Sequence, residues 1–333
     1  MNINLLEKSF QKSAYCAKFP LMGSKFYYDD LTLDRAHHLR LNQDWINDSM
    51  ANGQAKFLPV WRNRNLIRND PVSENEPPAA AFLNEDETQE LRPLAGETIF
   101  LGLENDTSYF AFDISPVEDP LSLPFPDHSE FEDLRLLATN IDPIEAGYLA
   151  YARALAHWNR NHRHCGACGS ETKSSHAGHE RICLNENCGR AHFPRTDPAV
   201  IMLVLHPNGD KCLLGHNSRF RGLMFSTLAG FVEPGETLEQ AVAREVKEET
   251  GVEVVDAEYQ ASQPWPFPAS IMLGFRARAV TTEINCHDDE LLEARWFTRD
   301  QVQEMGNNGR MLPPTKFSIS RWLIDVWLAE EEH

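Results

Sequence analysis

Residues 230–252 read GFVEPGETLEQAVAREVKEETGV, the densest pattern of charged and apolar residues bearing on the fold and chemistry of the chain. Thr237 and Gln240 stand three apart as a capping box that opens a helix, and Gly251 is placed as its C-terminal stop. Leu238, Ala241, Val242 and Val246 form the stripe such a helix would bury. Off that stripe, Glu245, Glu248 and Glu249 fall at i, i+3 and i+4, so three carboxylates share one face. Like charges at this spacing destabilise a helix unless something neutralises them. Hard divalent cations, Mg2+ or Mn2+, are suited to oxygen ligands and would do so. The plainer reading is a solvated acidic face partnered by Arg244 and Lys247.

Upstream lies a second dense pattern, Cys165, Cys168, Cys183 and Cys188, spaced CX2CX14CX4C. Two short cysteine turns separated by a dozen or so residues can set four thiolates at the corners of a tetrahedron, as Zn2+ requires at ~2.3 Å. With all four corners filled by protein, no position is left for water, and such a zinc is structural. His162, His164, His176, His179 and His192 flank the cluster, but a full thiolate set exists without them. The remaining cysteines, Cys16, Cys212 and Cys286, are scattered. This usage reads as a reducing compartment rather than a disulfide framework.

The chain has 333 residues and a formal charge of −19, long enough for two or three domains and too acidic to attract nucleic acid at long range. An anionic substrate would need a cation as intermediary. No apolar run approaches the ~20 residues of a membrane span, and MNINLLEKSF lacks a signal pattern, so the expectation is a cytoplasmic protein.

An α+β chain is predicted. Residues 1–140 read as a strand-rich domain, with hairpins at 57–67 and 96–114, the latter turning at Glu104–Ser108. The Pro-rich stretch Ser115–Asp127 is taken as its end. Residues 141–163 carry a connecting helix with Leu149, Ala152, Leu155, Ala156 and Trp158 at helical spacing. The cysteine cluster occupies 164–195, and 196–333 form the last domain. There, strands at 199–205 and 211–215 flank the turn HPNGD, another strand runs over 271–280, and Lys316–Leu328 suggests a closing helix. No internal repeat is evident.

The segment 230–252 resembles the Nudix box, GX5EX7REUXEEXGU with U a bulky aliphatic residue. Gly230, Glu236, Arg244, Glu245, Val246, Glu248, Glu249, Gly251 and Val252 match its fixed positions. The resemblance implies an α/β/α sandwich around a mixed sheet, and hydrolysis of a nucleoside diphosphate linked to another group. It implies Glu245 and Glu249 as the main ligands of Mg2+ or Mn2+, Glu248 as a ligand or near neighbour, and Glu236 as a support that can reach a metal through water. Arg244 would orient the glutamates, and the carbonyl of Ala229 would complete the shell.

A further string, SQPWPFPAS at 262–270, is stiffened by three prolines around Trp265 and Phe267. It is similar to the signature of the NADH pyrophosphatase branch of the Nudix family, which also carries a four-cysteine zinc ribbon before its catalytic domain. That branch implies substrate contacts from Gln263, Pro264, Trp265, Pro266, Phe267, Pro268, Ala269 and Ser270, with Trp265 and Phe267 as pocket walls. It further implies a metal ligand at Glu290 beside the decoys Asp288, Asp289 and Glu293. Phe193 stands where a Tyr is common and would keep the stacking but lose a hydroxyl. Ser320 is a further candidate contact. The implied reaction converts NADH or NAD to nicotinamide mononucleotide and AMP. Removal of an NAD cap from RNA 5′ ends is the alternative, and a non-catalytic zinc-ribbon adaptor belongs to another class. The branch also implies a homodimer.

Overall fold

The computed structural model describes residues 26, 28, 31–69, 77–137, 140–218, 223–286, 290–308 and 318–330. The first unit contains α1 (Gln43–Met50), β1 (Lys56–Trp61), β2 (Arg64–Arg68), β3 (Ala79–Ala80), α2 (Glu85–Thr88), β4 (Glu97–Glu104), β5 (Thr107–Asp113), β6 (Ser129–Glu132), α3 (Leu134–Leu137) and α4 (Pro143–Asn161). Its sheet runs β3-β2-β1-β5-β4, with β6 also on β2. Both expected hairpins form. Their two-residue turns place Arg62–Asn63 and Asn105–Asp106 at positive φ, the geometry that matches strand twist. The Pro-rich stretch does not end the unit, because β6 beyond it returns to pair with β2.

Helix α4 does more than connect. Leu149, Ala152 and Ala156 pack with Leu58, Val60, Ile99 and Leu101 in one core on one face of the sheet. The other face is aromatic, with Phe57 stacked between Phe110 and Phe112 at centroid distances of 5.5 and 4.9 Å.

The cysteine segment folds as β7 (Thr172–Ser175), β8 (Glu180–Cys183) and β9 (Ala191–His192) in one small sheet. It is latched to the first unit by polar contacts. Arg181, 4% exposed, pairs with Glu97 of β4 and donates to Asn159 Oδ1 of α4 at 3.1 Å. Asn159 in turn donates to the Gly178 carbonyl at 2.8 Å. His179 donates from Nε2 to the Phe100 carbonyl at 2.7 Å.

The last unit comprises β10 (Asp197–Leu205), β11 (Lys211–Asn217), β12 (Leu228–Phe231), α5 (Leu238–Thr250), β13 (Val254–Trp265), β14 (Ser270–Ala279), β15 (Leu291–Thr298), α6 (Arg299–Asn307) and α7 (Ile319–Ala329). The sheet order is β13-β14-β10-β11-β15, with β12 on β10, and only β10 and β14 among these pairs run parallel. Alternation along β10 builds the sandwich. Val200, Met202 and Val204 face α5 through Ala241, Val242 and Val246. Ile201, Leu203 and Leu205 face α6 and α7 through Val302, Leu323 and Trp327. The closing helix starts at Ile319, capped by Ser318; Lys316 lies outside the described residues.

The two sheets share a topology. In each, a hairpin strand (β1 or β10) lies parallel to the second strand of a later antiparallel pair (β5 or β14), and a last strand (β6 or β15) pairs beside the hairpin's other arm. The sequence shows no repeat, but the strand order does.

Burial, opposed by the hydrogen bond to the Phe100 carbonyl and reinforced by the nearby Arg40 and Arg35 charges, pushes His179 down to about 4. The depressed folded value means that the unfolded chain binds the proton first. Stability is therefore complete above the ordinary value of ~6.5 and is lost as pH falls toward 4. Between pH 7 and pH 5 this group should remove about 2 kcal/mol. Urea denaturation of the wild type and His179→Gln at both pH values checks this: the loss should be absent from the variant, and parallel losses would exclude His179 as the source.

Candidate active site

Helix α5 carries the glutamates, and its ends are built as expected. Thr237 accepts from Gln240 N, Gln240 Oε1 accepts from Thr237 N at 2.8 Å, and Gly251 adopts φ 72°. The site is organised around one guanidinium. Arg244 meets Glu236 with two hydrogen bonds of 3.1 and 2.6 Å, and its Nη1 reaches Glu245 Oε1 and Glu248 Oε2, each at 2.9 Å. Its Nη2 also donates to the Phe231 carbonyl at 2.8 Å, tying the helix to β12. Lys247 takes no part, pairing instead with Glu253. The plainer reading of a solvated face is thus only half met: Arg244 is the partner, but Glu249 is 4% exposed and Glu245 is largely covered.

Gly230 explains how Glu245 is covered. A Cβ at this position would lie 1.9 Å from the Glu245 carboxyl carbon and 2.1 Å from both its oxygens. The carboxylate therefore rests in the space a side chain would fill, against the backbone of β12. Ala229, whose carbonyl is a candidate ligand, precedes it on the same strand.

Burial raises the affinity of Glu245 for a proton; Arg244 opposes this, and the charges of Glu248 and Glu290 add to it. Glu290 is thereby brought into the electrostatic range of Glu245 from the start of β15, 45 residues away in sequence. Asp288 and Asp289 lie outside the described residues, whereas Glu293 turns to Arg295. Salt bridging to Arg244 holds Glu236 below the usual carboxylate range, and Glu236 first among these partners raises Arg244. One guanidinium faces Glu236, Glu245 and Glu248 while Glu249 and Glu290 stand close by. Such a donor set has the chemistry of a site for hard divalent cations.

The signature segment is not a free extended loop. Residues through Trp265 continue β13, 266–269 turn, and Ser270 starts β14 opposite Trp265. Pro264 is tolerated because β13 is an edge strand. Its residues then part company. Pro264, Trp265, Pro266, Ala269 and Ser270 line a cavity of about 650 Å³ between this hairpin, α4 and the cysteine unit. Gln263 is fully buried, and its Oε1 accepts from Ile319 N at 2.9 Å, so it ties β13 to α7 rather than facing a ligand. Phe267 turns from the cavity to the first unit, where it meets Tyr28 at 5.9 Å and the Arg153 guanidinium at 4.7 Å. Pro268 follows it through a cis peptide.

Ser320 is buried, its Oγ accepting from Thr227 Oγ1 at 2.8 Å. Phe193 is 62% exposed, two residues before the cavity-lining Arg195. Phe231 was not singled out in the sequence, yet it is 60% exposed directly beside Gly230. Its signal was present in the variable part of the box, where a large apolar residue follows the glycine.

The four cysteine sulfurs lie within 4.8 Å of one another, with Cys165–Cys188 at 3.8 Å and Cys168–Cys183 at 3.4 Å. A tetrahedron of ~2.3 Å bonds has edges of ~3.8 Å, so the set suits zinc. Hydrogen bonds from the Ala167 and Ser170 region lower Cys165 and Cys168, while burial raises Cys183. A cation would settle that mismatch by holding all four as thiolates. His162 and His179 donate elsewhere, to the Trp158 and Phe100 carbonyls.

Residues 54–158 match the model of the NADH pyrophosphatase-like rudimentary NUDIX domain, 160–193 that of the NADH pyrophosphatase zinc ribbon domain, and 195–321 that of the NUDIX domain. A Mycobacterium bovis protein named NAD-capped RNA hydrolase NudC is 39% identical over 315 residues, covering 90% of this chain and 93% of its own. The Pseudomonas aeruginosa protein of that name is 41% identical over 213 residues, 64% of this chain and 71% of its own. A human NAD-capped RNA hydrolase is 46% identical over 194 residues, 55% of this chain, and the match spans 42% of the human protein's length. Among the described residues no helix is long and apolar enough to cross a membrane.

Two outcomes are expected. Gly230→Ala should displace the Glu245 carboxylate and weaken Mn2+ binding at least tenfold in a calorimetric titration, with the thermal midpoint nearly unchanged. Cys183→Ser should lose the zinc found by elemental analysis and lower the midpoint by about 10 °C or more, since ligand-driven folding energy disappears with the metal.

Proposed function

The chain belongs to the NADH pyrophosphatase branch of the Nudix family, and from that we propose that it hydrolyses the pyrophosphate of NADH and NAD to nicotinamide mononucleotide, reduced or oxidised, and AMP. The observation that carries the reading is the Glu245 carboxylate seated on the Gly230 backbone and held by Arg244, with Glu248 on the same guanidinium nitrogen. A flexible acidic surface would not need a glycine beneath it.

Glu245, Glu249 and Glu290, with the Ala229 carbonyl, would hold Mg2+ or Mn2+. Such ions, when bound, neutralise the diphosphate, sharpen the nucleophilicity of water and stabilise the leaving phosphate. The residues themselves supply position. Arg244 holds Glu236, Glu245 and Glu248 in register, which fixes where negative charge is concentrated before substrate arrives. Phe231, exposed beside this centre, offers a flat apolar face to a base or nicotinamide ring. In the reaction water oxygen bonds to phosphorus, the bridging P–O bond breaks, and the two monophosphates leave with the water's protons divided between product and solvent.

NAD-cap removal from RNA 5′ ends is a second reading with the same bond cleavage. It is favoured by the names of the relatives in M. bovis and P. aeruginosa.

Product analysis with NADH, NAD, ADP-ribose, diadenosine polyphosphates and NAD-capped RNA tests both. NADH should yield reduced nicotinamide mononucleotide and AMP, and Glu249→Gln should lower kcat by about 10³-fold or more with an unchanged far-UV spectrum. Faster turnover of capped RNA than of NADH would put the second reading first, and a fully active Glu249→Gln enzyme would overturn the assignment of the centre.

A further inference from the structure

The cavity between α4, the zinc ribbon and the Trp265–Ser270 turn has a character unlike the rest of the molecule. Arg35, Arg40 and Arg195 line it, and no described residue of its wall is acidic, in a chain with a formal charge of −19. Among the described residues none of these arginines pairs with a carboxylate; Arg40 donates from Nη2 to the Arg35 carbonyl at 3.1 Å. The Arg35 guanidinium lies 4.0 Å from the centre of the Tyr151 ring. Tyr151, Trp158 and Trp265 add aromatic wall, and Trp158 Nε1 and Arg40 Nε find no acceptor among the described residues. His179 is also on the wall, but it is committed to the Phe100 carbonyl.

We propose that this cavity binds a nucleoside phosphate, with Arg35 and Arg40 of the first unit taking the phosphate and the aromatic wall taking the base. Guanidinium groups with no described carboxylate partner suit phosphate oxygens, and rings suit a planar heterocycle. The volume of about 650 Å³ lies within the range of small-molecule sites. The pocket opens on the same end of the sheet as the glutamate centre. Ser270 pairs with Asp197 on β10, and Phe231 pairs with Ala199 two residues along that strand. The first unit would then supply the cationic half of a site whose other half is the signature hairpin. The chemistry of the ligand follows from the wall alone. Only its source, a free nucleotide or the nucleotide that follows a cap on an RNA strand, rests on the hydrolase reading.

The test uses the full-length chain and the variant Arg35→Gln/Arg40→Gln, with Arg40→Lys as a charge-retaining control. AMP is titrated without added divalent cation, following tryptophan fluorescence, since Trp158 and Trp265 line the cavity. In parallel, a short NAD-capped oligonucleotide is titrated in the Glu249→Gln background with and without the double substitution. The double variant should bind at least tenfold more weakly in the AMP arm if the ligand is a free nucleotide, or in the oligonucleotide arm alone if it is part of a strand. Arg40→Lys should recover part of the affinity. Unchanged affinity in both arms, with zinc content and far-UV spectrum intact, would overturn the proposal. Hydrolysis of NADH is measured separately, so a failure of the hydrolase reading would leave the binding result standing.

Discussion

Charge concentration is the constraint from which the rest of the site follows. Three carboxylates, Glu236, Glu245 and Glu248, converge on the single guanidinium of Arg244, with Glu249 on the same helix and Glu290 within electrostatic range of Glu245, and Glu245 and Glu249 are largely withdrawn from water. Withdrawal strengthens repulsion, because solvent no longer screens it. The fold tolerates this through hydrogen bonding and close packing against the backbone. A capped helix, a glycine under Glu245 and a guanidinium bound to the β12 backbone leave the carboxylates nowhere else to go. Divalent cations held there would offset the repulsion and let so acidic a chain handle an anionic diphosphate.

The repeated topology places this centre in only one of two similar frames. Between β11 and β13 the chain inserts β12 and the 13-residue α5, whereas between β2 and β4 it has β3 and the four-residue α2. The first unit therefore keeps the sheet and the packing helix α4 but, among the described residues, has at the position of α5 only the single turn of α2, too short to align three carboxylates over a strand. What it keeps is a hydrophobic body, and Phe267 is seated on that body against Tyr28 and Arg153. Burial and neighbouring cations lower Arg153 to about 10, yet it remains charged at neutral pH and can hold an aromatic face.

Much of this was readable from spacing. The capping box, the carboxylate face and the cysteine tetrahedron depend on residues within one turn or one knuckle, and both hairpins in the first unit carried their turn residues openly. What was hidden depends on neighbours far along the chain. Alternation reveals which face of a strand is buried but not which strand lies beside it, so the parallel pairing of β1 with β5 and the return of β6 left no local mark. The signature segment shows the same limit. Gln263, Trp265 and Phe267 alternate along five residues, yet one ends in the α7 contact, one in the cavity and one against the first unit.

The zinc ribbon bears on that three-way division through the position of α4. Arg181 and Asn159 lock the ribbon to β4 and α4, and the chain leaves the ribbon directly into β10, whose first residue Asp197 accompanies Ser270. The latch therefore sets the position of α4 relative to the start of the catalytic sheet. Phe267 rests on α4, and Trp265 is two residues before it, so an error in the latch is transmitted to the cavity wall through a stiff, proline-bounded turn. A zinc with no open coordination position would thus bear on the reaction without touching it. It would fix where α4 sits relative to the start of β10, and the glutamate centre beside that end of the sheet would inherit the alignment.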